Sequence, residues 1–566
     1  MHDNALGTAL RLLSDIWDGQ RSAVFSQLQA DGTIASLPDL SLDGARRRSD
    51  SARALLERTD ALVDVELPHA VQLLLRQARH RLGVVRREAD WYWTGMDPSG
   101  MGFFGMFAPS PYCGGFILNY VLQSAQAQRF EHGGDLDRYL ALASDYARAI
   151  DQMAERTAGQ AQRGMRIPKP QLQSSRAIVS GFRARSAQTL VVDASRLPAV
   201  PGRAGFQAEL QHRIERQVLP AFERWAAILS PEYEALAPEG VGLSQYEGGA
   251  AIYAELVKLH TTTDLTPEQV HERGLARMAE VLAAMRQIRA EVGMADDPAG
   301  YLAQAGADPR FSAPTTEGVA AVFQRYIDRM EGAYDKAFHR RPQAAHGVAP
   351  LPEALQGSMT FGYYDTPKPG QPVGRFMFNA ANLRQQPLLS IGSLTYHELV
   401  PGHHLHIATQ SENLALHPVG RHSSVNAFNE GWAEYAATLA GELGMYETAE
   451  ERYGRLIMDA FLTSRLVVDT GMNALGWSLE RARDYMREFS SMAEAEVLTE
   501  SLRYSCDIPA QALAYKLGDT EMLRLRQCMK DRLGDRFDLR DFHAAVLSAG
   551  ALPLPDLAWH LDQVMS

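Results

Sequence analysis

Cysteine is nearly missing from this chain. Only Cys113, Cys506 and Cys528 occur in 566 residues, at no metal-like spacing. An odd, scattered trio excludes a disulfide framework and a zinc site built from thiolates, so any metal must rely on histidine and carboxylate. Lysine is scarce too, at six of the 56 cationic residues, and acids outnumber bases to a net charge of −12. Phosphate binding needs a local cationic excess, so a broad nucleic-acid surface is not expected. No stretch offers the roughly 18 uncharged apolar residues of a membrane span. The first residues, MHDNALGTALRLLSDIWDGQR, lack the basic lead and unbroken apolar run of a secretory signal. With reduced thiols, this gives a cytoplasmic expectation.

What the chain does have is helix. Hydrophobic residues make up 46% and charged residues 22%, an ordinary globular balance. At about 150 residues per domain the length suggests three or four units, but helical enzymes built around a channel often form one integrated body. The expected fold is mainly α, with a helical N-terminal lobe over 1–250 and a catalytic lobe over 251–566. Residues 50–90 and 131–160 read as helical hairpins. The sharpest start signal is Thr266-Pro267-Glu268-Gln269, a capping box with proline at the first helical position. Behind it Val270, Leu275, Met278, Leu282, Met285 and Val292 form a packing stripe. The one strand-like stretch is 358–380, where SMTFGYYDT and GRFMFNA flank a proline-rich turn and predict a small hairpin or edge sheet. Asn379, at its end, is a candidate for substrate contact.

Two features are set aside. Gly100-Met101-Gly102-Phe103-Phe104-Gly105 matches a dinucleotide-binding string, but MFAPSPYCGG follows it and cannot open the helix that such a site needs. His69, His80, His260 and His271 stand alone on helical patterns and receive no role.

The chemistry concentrates at Leu394-Thr-Tyr-His-Glu-Leu-Val-Pro-Gly-His-His-Leu-His406. Neutral imidazoles are preferred zinc ligands, and a glutamate beside one is placed to take a proton from water. In the common zincin arrangement two histidines sit four apart on one helical face. Here position 401 is proline, and in a straight helix His404 would lie about 10.5 Å along the axis from His397. Zinc–nitrogen bonds of about 2.0–2.1 Å cannot span that. Pro401-Gly402 predicts a kink or a two-residue π-bulge that brings His403 into place, with His404 as the runner-up ligand or an outer partner. Downstream, Asn429-Glu-Gly-Trp-Ala-Glu434 sets Glu430 and Glu434 one turn apart. Glu430 is the expected third ligand and Glu434 the partner of a ligand histidine.

These motifs resemble the bacterial family known as DUF 885, grouped with the gluzincin metallopeptidases. The likeness runs on through Arg465, Asp469-Thr470-Gly471, Gly476-Trp477-Ser478, Arg503-Tyr504, Pro509, Gln511, Tyr515-Lys516, Gly518 and Phe542-His543. It is clear over roughly the second half and only a helical texture in the first. The resemblance implies a two-lobed helical body with a central channel, similar to carboxypeptidase Taq and the thimet-type oligopeptidases. It also implies one zinc ion on His397, His403 and Glu430, with Glu398 as base. This chain departs from the family pattern at His406, where glutamine is usual, and at Asn473, where histidine is usual. Tyr504 is a candidate oxyanion donor, and Arg503 and Tyr515 are candidates for gripping substrate. The expected activity is zinc-dependent hydrolysis of a peptide or related amide. The rivals are a metal enzyme acting on a non-peptide amide or lactam, and a non-catalytic binding protein on the same fold.

Overall fold

The computed structural model describes residues 2–21, 37–63, 65–97, 104–197, 203–356, 361–368 and 371–565. It is mainly helical with one three-stranded sheet. The chain divides into two compact units. The first comprises Met1–Tyr253 and Leu502–Pro509, and the second Ala254–Ser501 and Ala510–Ser566. The short return of 502–509 to the first unit is absent from the expected boundaries. Of the glycine-rich string, residues 100–103 lie outside the described residues.

In the first unit, Leu42–Val63 and His69–Val85 pack as a hairpin. Residues 131–160 are not a hairpin but one 30-residue helix, Gly133–Gln162. Leu136, Tyr139, Leu142, Ala143, Tyr146, Ile150 and Met153 are buried at helical spacing along it. The helix ends at Gln162, shortly before Gly164 with its φ of 77°.

The second unit carries the histidines. Helix α1 (Pro267–Glu291) starts at the expected box: Thr266 Oγ1 accepts from the Gln269 N–H at 3.3 Å, and Gln269 Oε1 accepts from the Thr266 N–H at 3.0 Å. Its buried stripe differs from the expected one. Val270, Gly274, Met278, Val281, Met285 and Ile288 face inward, while Leu275 and Val292 are exposed. The 3.6-residue period favours the first series over the larger side chains.

Strands β1 (Ala345–Pro350), β2 (Gly362–Asp365) and β3 (Val373–Phe378) form the sheet, with β3 in the middle. β2 and β3 are the expected antiparallel hairpin, while β1 runs parallel to β3 and has no clear sequence signal. Phe376 and Phe378 alternate inward onto Phe323. Among the helices that follow are α2 (Ile391–Glu398), α3 (His403–Glu412), α4 (Asn426–Glu442), α5 (Ala449–Asn473) and α6 (Ala514–Leu533). α1 lies along α5, and α4 along α6. A Cβ on Gly431 of α4 would come within 2.6 Å of Gly518 of α6, so the two glycines permit that close approach.

Candidate metal centre

α2 ends where the backbone leaves helical dihedrals at Leu399 (φ −108°, ψ −116°). The Val400–Pro401 peptide is cis, and α3 begins directly after Gly402. The expected kink or π-bulge is therefore a full break. Pro401 has no N–H for the carbonyl of His397. A Cβ at position 402 would overlap that carbonyl oxygen, so only glycine fits beneath it. Trp432 from α4 pins the turn by donating from Nε1 to the Pro401 carbonyl at 2.9 Å.

The break brings His397 and His403 together, with ring centroids 4.9 Å apart and planes near perpendicular at 89°. Glu430 approaches from α4. Its Oε2 lies 3.6 Å from His397 Nε2 and 3.3 Å from His403 Nε2. One donor atom from each of the three residues lies within 4.8 Å of the other two. A tetrahedral ion with bonds of about 2.0–2.2 Å holds its ligand atoms roughly 3.3–3.6 Å apart, so the donor set fits zinc in both chemistry and spacing. Glu430 Oε2 is also buried with no hydrogen-bond partner, an arrangement a cation would relieve.

Charge around the three residues reinforces that reading. Burial opposes an imidazolium at His397, but its contacts to Glu430 and Glu434 and the charge of Glu398 override this and raise its pKa to about 10. Burial works against ionised Glu430 as well, yet His403 and His397 hold it far below the usual carboxylate range. Glu398 behaves differently. Burial pushes its carboxyl above the ordinary value, with His397 and His403 opposing. A glutamate with raised affinity for a proton, beside two imidazoles, suits acid–base work.

Behind His397 stands a buried ionic network. His397 Nδ1 lies 3.6 Å from Glu434 Oε2, within ion-pair reach and slightly long for a hydrogen bond. Glu434 Oε1 takes Arg455 Nη2 at 2.6 Å and Lys516 Nζ at 3.3 Å. Lys516 also reaches Asp459 at 3.1 Å and Asp519 at 2.6 Å, and Arg277 pairs with Asp459 at 2.6 Å. Burial disfavours the Glu434 carboxylate, and Arg455 and Lys516 more than compensate, so it stays ionised. Once a cation displaces the Nε2 proton, an ionised partner at Nδ1 favours the tautomer whose Nε2 lone pair faces Glu430 and His403. Arg455, Asp459 and Asp519 carried no sequence expectation. Their signal was the recurrence of Arg455/Asp459 and Lys516/Asp519 at helical spacing, which sets opposite charges side by side on one face of each helix.

The other expected residues divide. His404 turns to the sheet, where its Nε2 donates to the Ala344 carbonyl at 3.0 Å and its Nδ1 accepts from the Tyr364 hydroxyl at 2.8 Å. As a partner of the metal ligands it is corrected. Adjacent residues on a helix point about 100° apart, and His403 takes the inward direction. Tyr515 stacks on the His397 ring at 5.9 Å and 11°, backed by the Arg465 guanidinium 4.6 Å from its own ring. Asn379 caps the short helix Ala380–Leu383 and donates to the Gln356 carbonyl at 2.8 Å, a structural rather than a substrate-facing role. His406 donates to Gln410 at 2.9 Å and packs on Phe428. Asn473 is buried and donates to Asp469 at 3.0 Å. Arg503 and Tyr504 belong to the first unit, where Tyr504 is fully buried and Arg503 lies over the Tyr112 ring at 5.1 Å.

Among the described residues no helix is long and apolar enough to cross a membrane. Two solved structures share the fold over nearly the whole length. One is described as the putative lipoprotein from Colwellia psychrerythraea, with 23% identity, a TM-score of 0.80, and 99% of this chain and 97% of that one covered. The other is described as a putative lipoprotein of unknown function from Shewanella oneidensis, with 15% identity, a TM-score of 0.72, and 98% of each chain covered. No curated protein matches. Residues 27–561 match the family described as bacterial protein of unknown function, DUF885, and on that coverage the chain belongs to it.

Proposed function

We propose that this chain is a zinc-dependent hydrolase of a peptide or related amide bond. One observation carries the reading: His397, His403 and Glu430 bring their donor atoms within 4.8 Å of one another, with Glu398 next to His397 in the chain. When bound, zinc supplies the Lewis acidity that polarises a carbonyl and acidifies water. His397 and His403 offer neutral nitrogens, and Glu430 offers the one negative charge. Glu398 takes the proton of the attacking water and later passes it to the leaving amine, which its raised proton affinity favours. Glu434 fixes the His397 tautomer, and Tyr515 holds that ring's plane by stacking.

The sheet suggests how an extended substrate is aligned. β2 is an edge strand, so one row of its backbone N–H and C=O groups is unpaired in the sheet and suited to adding a peptide strand. Tyr364 on this strand hydrogen-bonds His404 at 2.8 Å, so β2 packs against the helix that begins with His403.

The test is metal analysis of the purified chain followed by digestion of a mixed peptide library. About one zinc per chain and cleavage that Glu398→Gln abolishes are expected. Zinc-loaded protein that leaves every peptide intact would overturn the peptide reading in favour of a non-peptide amide, and protein without metal affinity would overturn both.

A further inference from the structure

Beside the metal centre stands an apolar wall that the zinc chemistry does not use. Met458, Phe461 and Leu462 are buried together on α5, at the spacing that sets residues of neighbouring turns side by side. Three residues from elsewhere in the chain pack on them and stay partly exposed: Phe361, Met492 and Tyr515. Phe361 meets Phe461 edge to face, with ring centroids 5.8 Å apart. The Arg465 guanidinium lies 4.3 Å from the Phe461 ring and 4.6 Å from that of Tyr515, and so joins the two. Its charge is met inside the protein by Glu500 at 3.1 Å, with both side chains buried.

Two contacts fix where the wall lies. At one end Tyr515 stacks on the ring of His397, a proposed zinc ligand. At the other, Phe361 immediately precedes β2, and its carbonyl accepts the Asn379 N–H at 2.8 Å, which continues the pairing of β2 with β3. The wall thus runs from the strand edge proposed to align a substrate to the centre proposed to polarise its carbonyl. Apolar surface left partly in water costs free energy, and an apolar side chain laid against it removes that cost. A charged side chain would lose water there and gain no counter-charge from Arg465, which Glu500 already holds.

We infer that Phe361, Met492 and Tyr515 form the specificity wall of this enzyme and take a large apolar side chain from the residue next to the scissile bond. The inference rests on the zinc-hydrolase reading and adds its substrate preference.

Hydroxamates chelate zinc, so they carry a chosen side group to the centre without any need for turnover. Calorimetric titration of the zinc-loaded full chain with acetohydroxamate, 3-phenylpropanohydroxamate and 3-carboxypropanohydroxamate tests the wall. The phenyl compound should bind at least about tenfold more tightly than acetohydroxamate, the gain from burying part of one ring, and the carboxylate compound no more tightly. Met492→Asp and Phe361→Ala, each loaded with zinc, should bring the ratio of phenyl to acetyl affinity down toward one. In a mixed peptide library the parent chain should cut beside Phe, Leu and Met in preference to Asp and Lys. Equal affinities for the phenyl and acetyl compounds in the zinc-loaded parent would overturn the wall and leave the hydrolase reading standing. So would a ratio that survives in both variants, since the ring would then sit elsewhere, or cuts with no apolar preference. A chain without zinc affinity, or one that holds zinc and takes up no hydroxamate, would overturn the hydrolase reading and the wall with it.

Discussion

His403 and His404 are neighbours of the same type, and their surroundings give them different work. His403 Nε2 faces Glu430 at 3.3 Å, while both nitrogens of His404 are used by Tyr364 and Ala344. His403→Ala is expected to emerge from purification with little bound zinc, and His404→Ala to retain it; metal content of the two variants decides, and the reverse result would reassign the ligand. Glu398→Gln is near-isosteric and cannot accept the proton, so it should keep its metal and lose at least about 10²–10⁴-fold in turnover. Full turnover by the loaded variant would remove Glu398 from the role of base. At this scale much was legible, because ligand chemistry restricts the residue types and spacing restricts the geometry. The roles of Asn379 and Asn473 were not, because an asparagine that caps a helix or bonds back to Asp469 reads in sequence like one that faces a substrate.

A scale higher, the expected irregularity at Pro401-Gly402 is there, but as a break between α2 and α3 rather than a bulge within one helix. Proline and glycine say that a helix cannot continue unchanged; they do not say how the chain restarts. The restart depends on contacts far along the sequence, such as Trp432 holding the Pro401 carbonyl. The same limit hid β1, whose partner β3 lies more than twenty residues on and whose AHGVAP has little strand character. α4, α5 and α6 meet at Glu434, which serves both His397, the proposed zinc ligand, and the buried cations. Glu434→Ala should weaken zinc binding by roughly 10–100-fold. It should also lower stability by about 3–5 kcal/mol, since Arg455 and Lys516 lose a buried counter-charge. Zinc titration and denaturant unfolding measure the two effects separately. A stability loss with unchanged zinc affinity would reduce Glu434 to a structural ion-pair partner.

For the whole molecule, the pH dependence of stability should carry the mark of a residue far in sequence from most of its unit. Asp507 lies on the short segment that rejoins the first unit, where it accepts from Gln171 and its own carbonyl takes the Met106 N–H at 2.8 Å. An eight-residue return leaves no trace in composition, which is why the sequence reading kept it with the second lobe. Burial raises the Asp507 carboxyl to about 7, with Gln171 and Arg503 opposing. Its folded value thus lies above the unfolded one, so the folded chain keeps this proton after the unfolded chain has lost it. The associated stability is fully present below about pH 4, falls as pH rises, and is gone above about pH 7, a span worth up to a few kcal/mol. Asp507→Asn cannot ionise and still offers Gln171 an acceptor. Its stability relative to the parent chain should therefore climb steadily from about pH 4 to 7 and level off above, with the variant the more stable at pH 8. Thermal unfolding of both chains across that range checks it. A difference that stays flat with pH would mean that the parent folds with Asp507 ionised and compensated, most directly by Arg503.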